Sequence, residues 1–131
     1  MTKFWFDHLH LVVADPEKMA DFFEKAFGAE RVSLRKLPDG RTRAELKIIG
    51  GRMIINTPNS TDTRTSDNPS RRLGTEHFGM QVDNLEKALR QCLDAGADLV
   101  LDSTEVRPSV RIAFFMAPEN VLVELLEIKS Q

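Results

Sequence analysis

The chain has 131 residues, 41% of them hydrophobic, with 18 Lys+Arg against 20 Asp+Glu, enough for one compact domain and too little for two independent ones. A net charge of -2 with both signs scattered along the chain offers no basic stripe for a phosphate backbone and no polybasic patch for lipid, which argues against nucleic acid and membrane partners. The lone Cys92 excludes an internal disulfide framework and any multi-cysteine zinc site, so a metal must be held by carboxylates and by His8, His10 or His77, and the absence of tyrosine removes the phenol as a proton donor.

The N-terminus reaches Asp7 and His8 before a signal-like apolar core forms, and no run approaches the roughly 20 apolar residues of a spanning helix, which points to a soluble, cytoplasmic chain. Phe4 to Val13, rich in aromatic and β-branched residues, reads as a buried strand. Asp15-Pro16-Glu17 then supplies an N-cap carboxylate and a proline at the first helical position. Met19, Phe22, Phe23, Ala26 and Phe27 follow at helical spacing, and Gly28 closes the helix. Strands are expected at Arg31 to Leu37, Thr42 to Ile49 and Arg52 to Thr57, separated by turns at Pro38-Asp39-Gly40 and Gly50-Gly51. Pro58 to Gly74 contains almost no apolar side chain and reads as a long polar connection.

Beyond it the pattern restarts. Glu76-His77-Phe78-Gly79-Met80-Gln81-Val82 falls under Asp7-His8-Leu9-His10-Leu11-Val12-Val13 at an offset of roughly 69 residues. A helix from Leu85 to Ala95 and strands at Asp98 to Leu101, Val110 to Met116 and Val121 to Ile128 follow, with a turn at Pro118-Glu119-Asn120. The expected fold is α+β: one domain over residues 1–131, made of two tandem βαβββ modules, about 3–57 and 75–128, joined by the connection 58–74. Each half has a sheet face it cannot bury alone, so a curved mixed sheet around a cavity, flanked by helices, is expected.

Several motifs together resemble the vicinal oxygen chelate superfamily: Asp7-His8 with Asp15, Phe27-Gly28, Glu76-His77 with Val82-Asp83-Asn84, Phe114-Phe115-Met116-Ala117-Pro118, and Val123-Glu124-Leu125-Leu126-Glu127. That superfamily holds glyoxalase I, methylmalonyl-CoA epimerase, fosfomycin-resistance enzymes, bleomycin-resistance proteins and extradiol dioxygenases. The resemblance covers nearly the whole chain and is specific for the superfamily, not for one activity. It implies one divalent ion (Fe, Co, Ni, Mn or Zn) held by His8, His77 and Glu124, a small-molecule substrate with vicinal oxygens, and a homodimer. The epimerase also resembles this chain at Glu45, whose counterpart there is a catalytic base.

The residues themselves point the same way. A buried divalent ion needs neutral imidazoles and an anionic oxygen from different strands, and the apolar neighbours of Glu124 make an unpaired charge there costly, leaving Glu127 as the solvated acid. The repeat carries Glu124 back to Ile55, which has no donor atom; a slip of one residue brings Asn56, whose amide oxygen coordinates weakly. Strand parity places Arg43, Glu45 and Lys47 on one face and Ala44, Leu46 and Ile48 on the other, the charged face being either solvated or lining the cavity. His10 shares a face with His8 and reads as a proton shuttle, a substrate contact or a hydrogen-bonded core histidine. Arg111, alternating with Ala113 and Phe115, is a candidate cavity-facing guanidinium for an anionic substrate group. Arg71 and Arg72 either clamp a carboxylate or phosphate or keep the surface soluble, and Cys92 reads as core. The favoured function is a metal-dependent lyase or isomerase that shifts a proton next to a carbonyl, with Glu45 or Glu124 moving the proton. An Fe(II) extradiol-type dioxygenase and a metal-free binding protein of the bleomycin-resistance kind are the alternatives, the first opposed by the lack of tyrosine.

Overall fold

A computed structural model describes residues 1–63, 68 and 73–130. The chain divides into two compact units, Met1–Asp62 and Thr63–Gln131, and the division falls inside the polar connection.

The first unit runs β1 (His8–Val12), α1 (Pro16–Phe27), β2 (Glu30–Lys36), β3 (Thr42–Ile48) and β4 (Gly51–Asn56). Its strands form one sheet in the order β1-β4-β3-β2, with β1 parallel to β4 and the other pairs antiparallel. The helix begins where its capping residue dictates: the Asp15 carboxylate accepts the Lys18 backbone N–H at 3.0 Å, and Pro16 occupies the first turn. It ends at Gly28, whose φ of 69° is the left-handed conformation of a C-terminal cap. Met19, Ala20, Phe22, Phe23 and Ala26 are buried along it, and the helix packs on β2, β3 and β4. Beneath it lie Ala44, Leu46, Met53 and Ile55, all fully buried.

The strand expected from Phe4 starts instead at His8. Pairing with β4 opens at His8 opposite Arg52, and Gly51 already begins β4, so residues further upstream have no partner strand. Phe4, Trp5 and Phe6 consequently stand exposed. An apolar, aromatic run looks like a strand in sequence, but a ladder partner decides its length.

The second unit repeats the order: β5 (Phe78–Gln81), α2 (Leu85–Asp94), β6 (Asp98–Arg107), β7 (Val110–Ala117) and β8 (Val121–Ile128), with a short 3-10 turn at Pro118–Asn120. Its sheet has the order β5-β8-β7-β6, and β5 is parallel to β8. Asn84 caps α2 by accepting the Lys87 N–H at 3.0 Å. Leu85, Leu89 and Cys92 are buried on the helix, and Ala113, Phe115, Val123 and Leu125 are buried on the strands. β6 extends well past the expected end at Leu101. It follows β7 through register shifts at Leu99/Leu101, Leu101/Thr104 and Glu105/Arg107, and such irregularities erase the alternation by which a strand is recognised. The α+β expectation of two tandem βαβββ modules therefore holds, each module building its own four-stranded mixed sheet with a helix on one face.

Candidate functional site

In the first unit, the residues under α1 send their neighbours to the helix-free face. Register places His8 beside Arg52 and His10 beside Ile54 on β1 and β4. On β3, Lys47 stands opposite Arg52, Glu45 opposite Ile54 and Arg43 opposite Asn56. Arg43, Glu45 and Lys47 thus share the face that carries both histidines. The Glu45 side chain is only 23% exposed, and Arg52 donates from Nη1 to its Oε1 at 3.2 Å. Arg52 also donates from Nη2 to Asp7 Oδ2 at 3.0 Å, and that same oxygen lies 2.7 Å from His8 Nδ1. A connected chain of Glu45, Arg52, Asp7 and His8 results. The hydrogen bond with His8, then that with Arg52, holds the Asp7 carboxyl below its ordinary range. With Nδ1 donating to Asp7, the His8 lone pair sits on Nε2.

His10 is kept neutral by desolvation of its ring and then by the positive charge of Arg43. The Asn56 amide beside it pulls in the opposite direction, without closing a hydrogen bond of good geometry. Asn56 is 5% exposed, and its Oδ1 is buried with no hydrogen-bond partner among the described residues.

In the second unit, β8 separates two acids by parity. Glu127 shares the helix side with Val123 and Leu125, is 4% exposed, and accepts the Leu85 N–H through Oε2 at 2.8 Å. The expectation that Glu127 is the solvated acid is therefore overturned. The first turn of α2 leaves a donor without an intrahelical acceptor, and a negative charge at a helix N-terminus is favourable. Glu124 lies on the opposite face. Its Oε1 is 3.3 Å from His77 Nε2, and its side chain is 23% exposed. His77 Nδ1 is 3.0 Å from Glu76 Oε1, and the ring packs edge-on against Phe114 at 5.1 Å. Phe114 is the β7 neighbour of Glu124 and Gly79 its β5 neighbour.

Arg111 does not join that group. It occupies the helix side with Ala113 and Phe115, where Nη1 reaches Glu86 Oε1 at 2.7 Å and Nη2 donates to Ser103 Oγ at 2.7 Å. The alternation with Ala113 and Phe115 puts it on the face covered by α2, not on the face that carries Glu124. Cys92 is buried in the core, and burial pushes its thiol up to about 11. Arg71 and Arg72 lie outside the described residues.

The structure also relocates the first-unit counterpart of Glu124. Ile48 pairs with Gly51 across a two-residue turn, whereas Ala117 pairs with Val121 across the three residues Pro118–Asn120. The longer turn adds one residue to the repeat offset. By register Glu124, paired with Gly79, therefore corresponds to Ile54, paired with His10, and not to Ile55 or Asn56. Ile54 carries no donor atom, so the repeat supplies no fourth ligand.

Among the described residues no three His, Cys, Asp or Glu side chains form one group able to hold a metal. The donor chemistry of the named residues nevertheless fits a divalent ion. Each module's leading histidine has its Nδ1 beside the carboxylate that precedes it, Asp7 or Glu76, the arrangement that fixes the tautomer of a ligating imidazole and raises its basicity. In the second unit the remaining nitrogen already faces a carboxylate. An acid directly before each histidine, repeated at the module offset, was the sequence signal for this role.

A family model described as the Glyoxalase/Bleomycin resistance protein/Dioxygenase superfamily matches residues 5–125. A glyoxalase family protein from Bacillus cereus superposes with a TM-score of 0.81 at 16% identity, covering 99% of this chain and 97% of that one. The fosfomycin resistance protein FosX from Listeria monocytogenes gives 0.70 at 20% identity, covering 100% and 95%. A glyoxalase I mutant from Zea mays gives 0.72 at 20% identity, covering 94% of this chain and 44% of that one. No curated protein matches the chain in sequence.

Proposed function

Because the chain belongs to the glyoxalase/bleomycin resistance protein/dioxygenase superfamily, we propose that it is a divalent-metal-dependent enzyme of the glyoxalase or epimerase kind, moving a proton next to a carbonyl of a small molecule with neighbouring oxygens. The observation that carries the reading is the paired second unit: Glu76 on His77 Nδ1, and Glu124 beside His77 Nε2. His8, His77 and Glu124 are the residues that hold the ion in this reading. When bound, such an ion withdraws electron density from a carbonyl and stabilises the negative charge that develops on its oxygen.

The protein's own groups do the rest. Asp7 and Glu76 hold the two imidazoles in one tautomer. Arg52 grips Oε1 of Glu45, which orients the carboxylate and leaves Oε2 to take and return the proton. His10, neutral on the same sheet face and separated from Glu45 by Ile54, offers a hydrogen bond to substrate without adding charge.

Elemental analysis of the purified chain, with titration of the metal-free form by Fe(II), Co(II), Ni(II), Mn(II) and Zn(II), tests the reading. The expected result is one ion per chain, lost in His77→Ala while the far-ultraviolet circular dichroism spectrum is retained. No metal at any stoichiometry, or unchanged metal content in that variant, overturns it.

A further inference from the structure

The helix-free face of the first unit also carries charge that its own residues leave unmatched. Of the arginines in Met1–Asp62, Arg31 pairs with Asp21 and Glu24, Arg41 with Asp39, and Arg52 with Asp7 and Glu45. Arg35 and Arg43 make no ion pair or hydrogen bond among the described residues. They also stand directly opposite each other on β2 and β3, where like charges repel across a strand pair. The next position in the same row is Asn56, opposite Arg43 on β4. Its side chain is buried, and among the described residues its Oδ1 closes no hydrogen bond of good geometry, although the His10 ring lies close enough to feel it. Leaving such an atom unsatisfied is costly. Two unmatched guanidinium groups followed by an orphaned acceptor make one row with a defined complement: an anion at one end and a hydrogen-bond donor at the other.

We propose that Arg35, Arg43 and Asn56 form a binding site for a small oxyanion that also carries a hydroxyl, a 2-hydroxy carboxylate or a hydrogen phosphate group. The guanidinium fork of Arg43 takes two anion oxygens side by side, Arg35 adds the second positive charge, and Asn56 Oδ1 accepts from the hydroxyl. The site names the substrate class for the enzyme proposed above and rests on that reading to that extent. The binding itself needs no metal. The ligand also relieves the Arg35–Arg43 repulsion, so it should stabilise the fold by mass action.

The test uses the whole chain, stripped of metal, dialysed free of chelator and checked by elemental analysis, so that a failure of the metal reading is scored separately. Calorimetric titration and thermal unfolding are run with sodium glycolate, sodium acetate and inorganic phosphate at constant ionic strength. Glycolate and phosphate are expected to bind and raise Tm, with acetate several-fold weaker. Arg43→Gln should weaken all three by about tenfold or more while leaving Tm in anion-free buffer unchanged or higher, because the repulsion is gone. Asn56→Leu should abolish the preference for glycolate over acetate. Glycolate binding without phosphate binding assigns the site to carboxylates, and the reverse assigns it to phosphates. Equal binding of all three anions by wild type and Arg43→Gln, or no rise in Tm with any of them, overturns the site. Equal affinity for acetate and glycolate overturns the role of Asn56.

Discussion

The two units have the same strand order and the same helix placement, yet their helix-free faces have opposite chemistry. In the first unit, register sets Arg43, Glu45 and Lys47 on β3 against Asn56, Ile54 and Arg52 on β4. At the corresponding places in the second unit, Ile112, Phe114 and Met116 on β7 face Leu126, Glu124 and Leu122 on β8. Ile54 is the one apolar residue of the first set and Glu124 the one charged residue of the second, and they are counterparts. The helix sides show the reverse: Ala44, Leu46, Met53 and Ile55 answer Ala113, Phe115, Val123 and Leu125, all buried. The fold is carried by the side under the helix, where every position is constrained by packing. The opposite side is free to diverge, and there the first unit holds charge and the second a single imidazole–carboxylate pair in apolar surroundings.

The sharpest way to break that division is to compare the two acids of β8. Glu127→Ala removes a charge-assisted bond to the first N–H of α2 in a buried place, and urea unfolding should register a loss of about 2–3 kcal/mol. Glu124→Gln sits on the other side and should stay within about 0.5 kcal/mol of wild type, while metal binding falls. Equal destabilisation by both would mean that the strand does not divide fold from chemistry in this way.

The contrast between these acids also shows what was legible in the sequence. Parity alone puts Glu127 with Val123 and Leu125, but whether that side meets water or a helix terminus depends on where the start of α2 comes to rest, a tertiary fact. The caps of α1, the helical spacing of its phenylalanines and the alternation of β3 were all readable, because each is fixed by residues a few positions apart. The offset error at Ile55 came from carrying one period across turns of unequal length, although both turns are visible as Ile49-Gly50 and Pro118-Glu119-Asn120. The link from Arg52 to Asp7 and Glu45 joins three segments, and no local pattern announces it. The acid before each histidine was in plain view, and only the geometry shows that it reaches the ring.

A smaller effect sharpens the charged side. Glu45→Gln keeps the shape and the Arg52 contact but removes the proton acceptor, so turnover on an accepted substrate should fall by at least about tenfold with metal content unchanged. Arg52→Ala, which frees both Glu45 and Asp7, should lower turnover less and leave Glu45 able to act. If Glu45→Gln turns over at the wild-type rate, the first unit's charged face contributes binding and not proton transfer.

The smallest effect concerns the helix side of the second unit. Cys92 takes the position that the repeat assigns to Phe23, and both are fully enclosed. Unlike Phe23, it can ionise. Burial raises its thiol from 9.0 to about 11, so the unfolded chain loses the proton first. Stability therefore falls as pH rises from about 9 through about 11, a dependence that Cys92→Ala should remove. At pH 8 the native thiol is both protonated and covered, so iodoacetamide should label it only as fast as the unit opens, and promptly in urea. Prompt labelling of the native chain would mean that α2 does not seal its side of the sheet as α1 does, and that only the first unit's packing is complete.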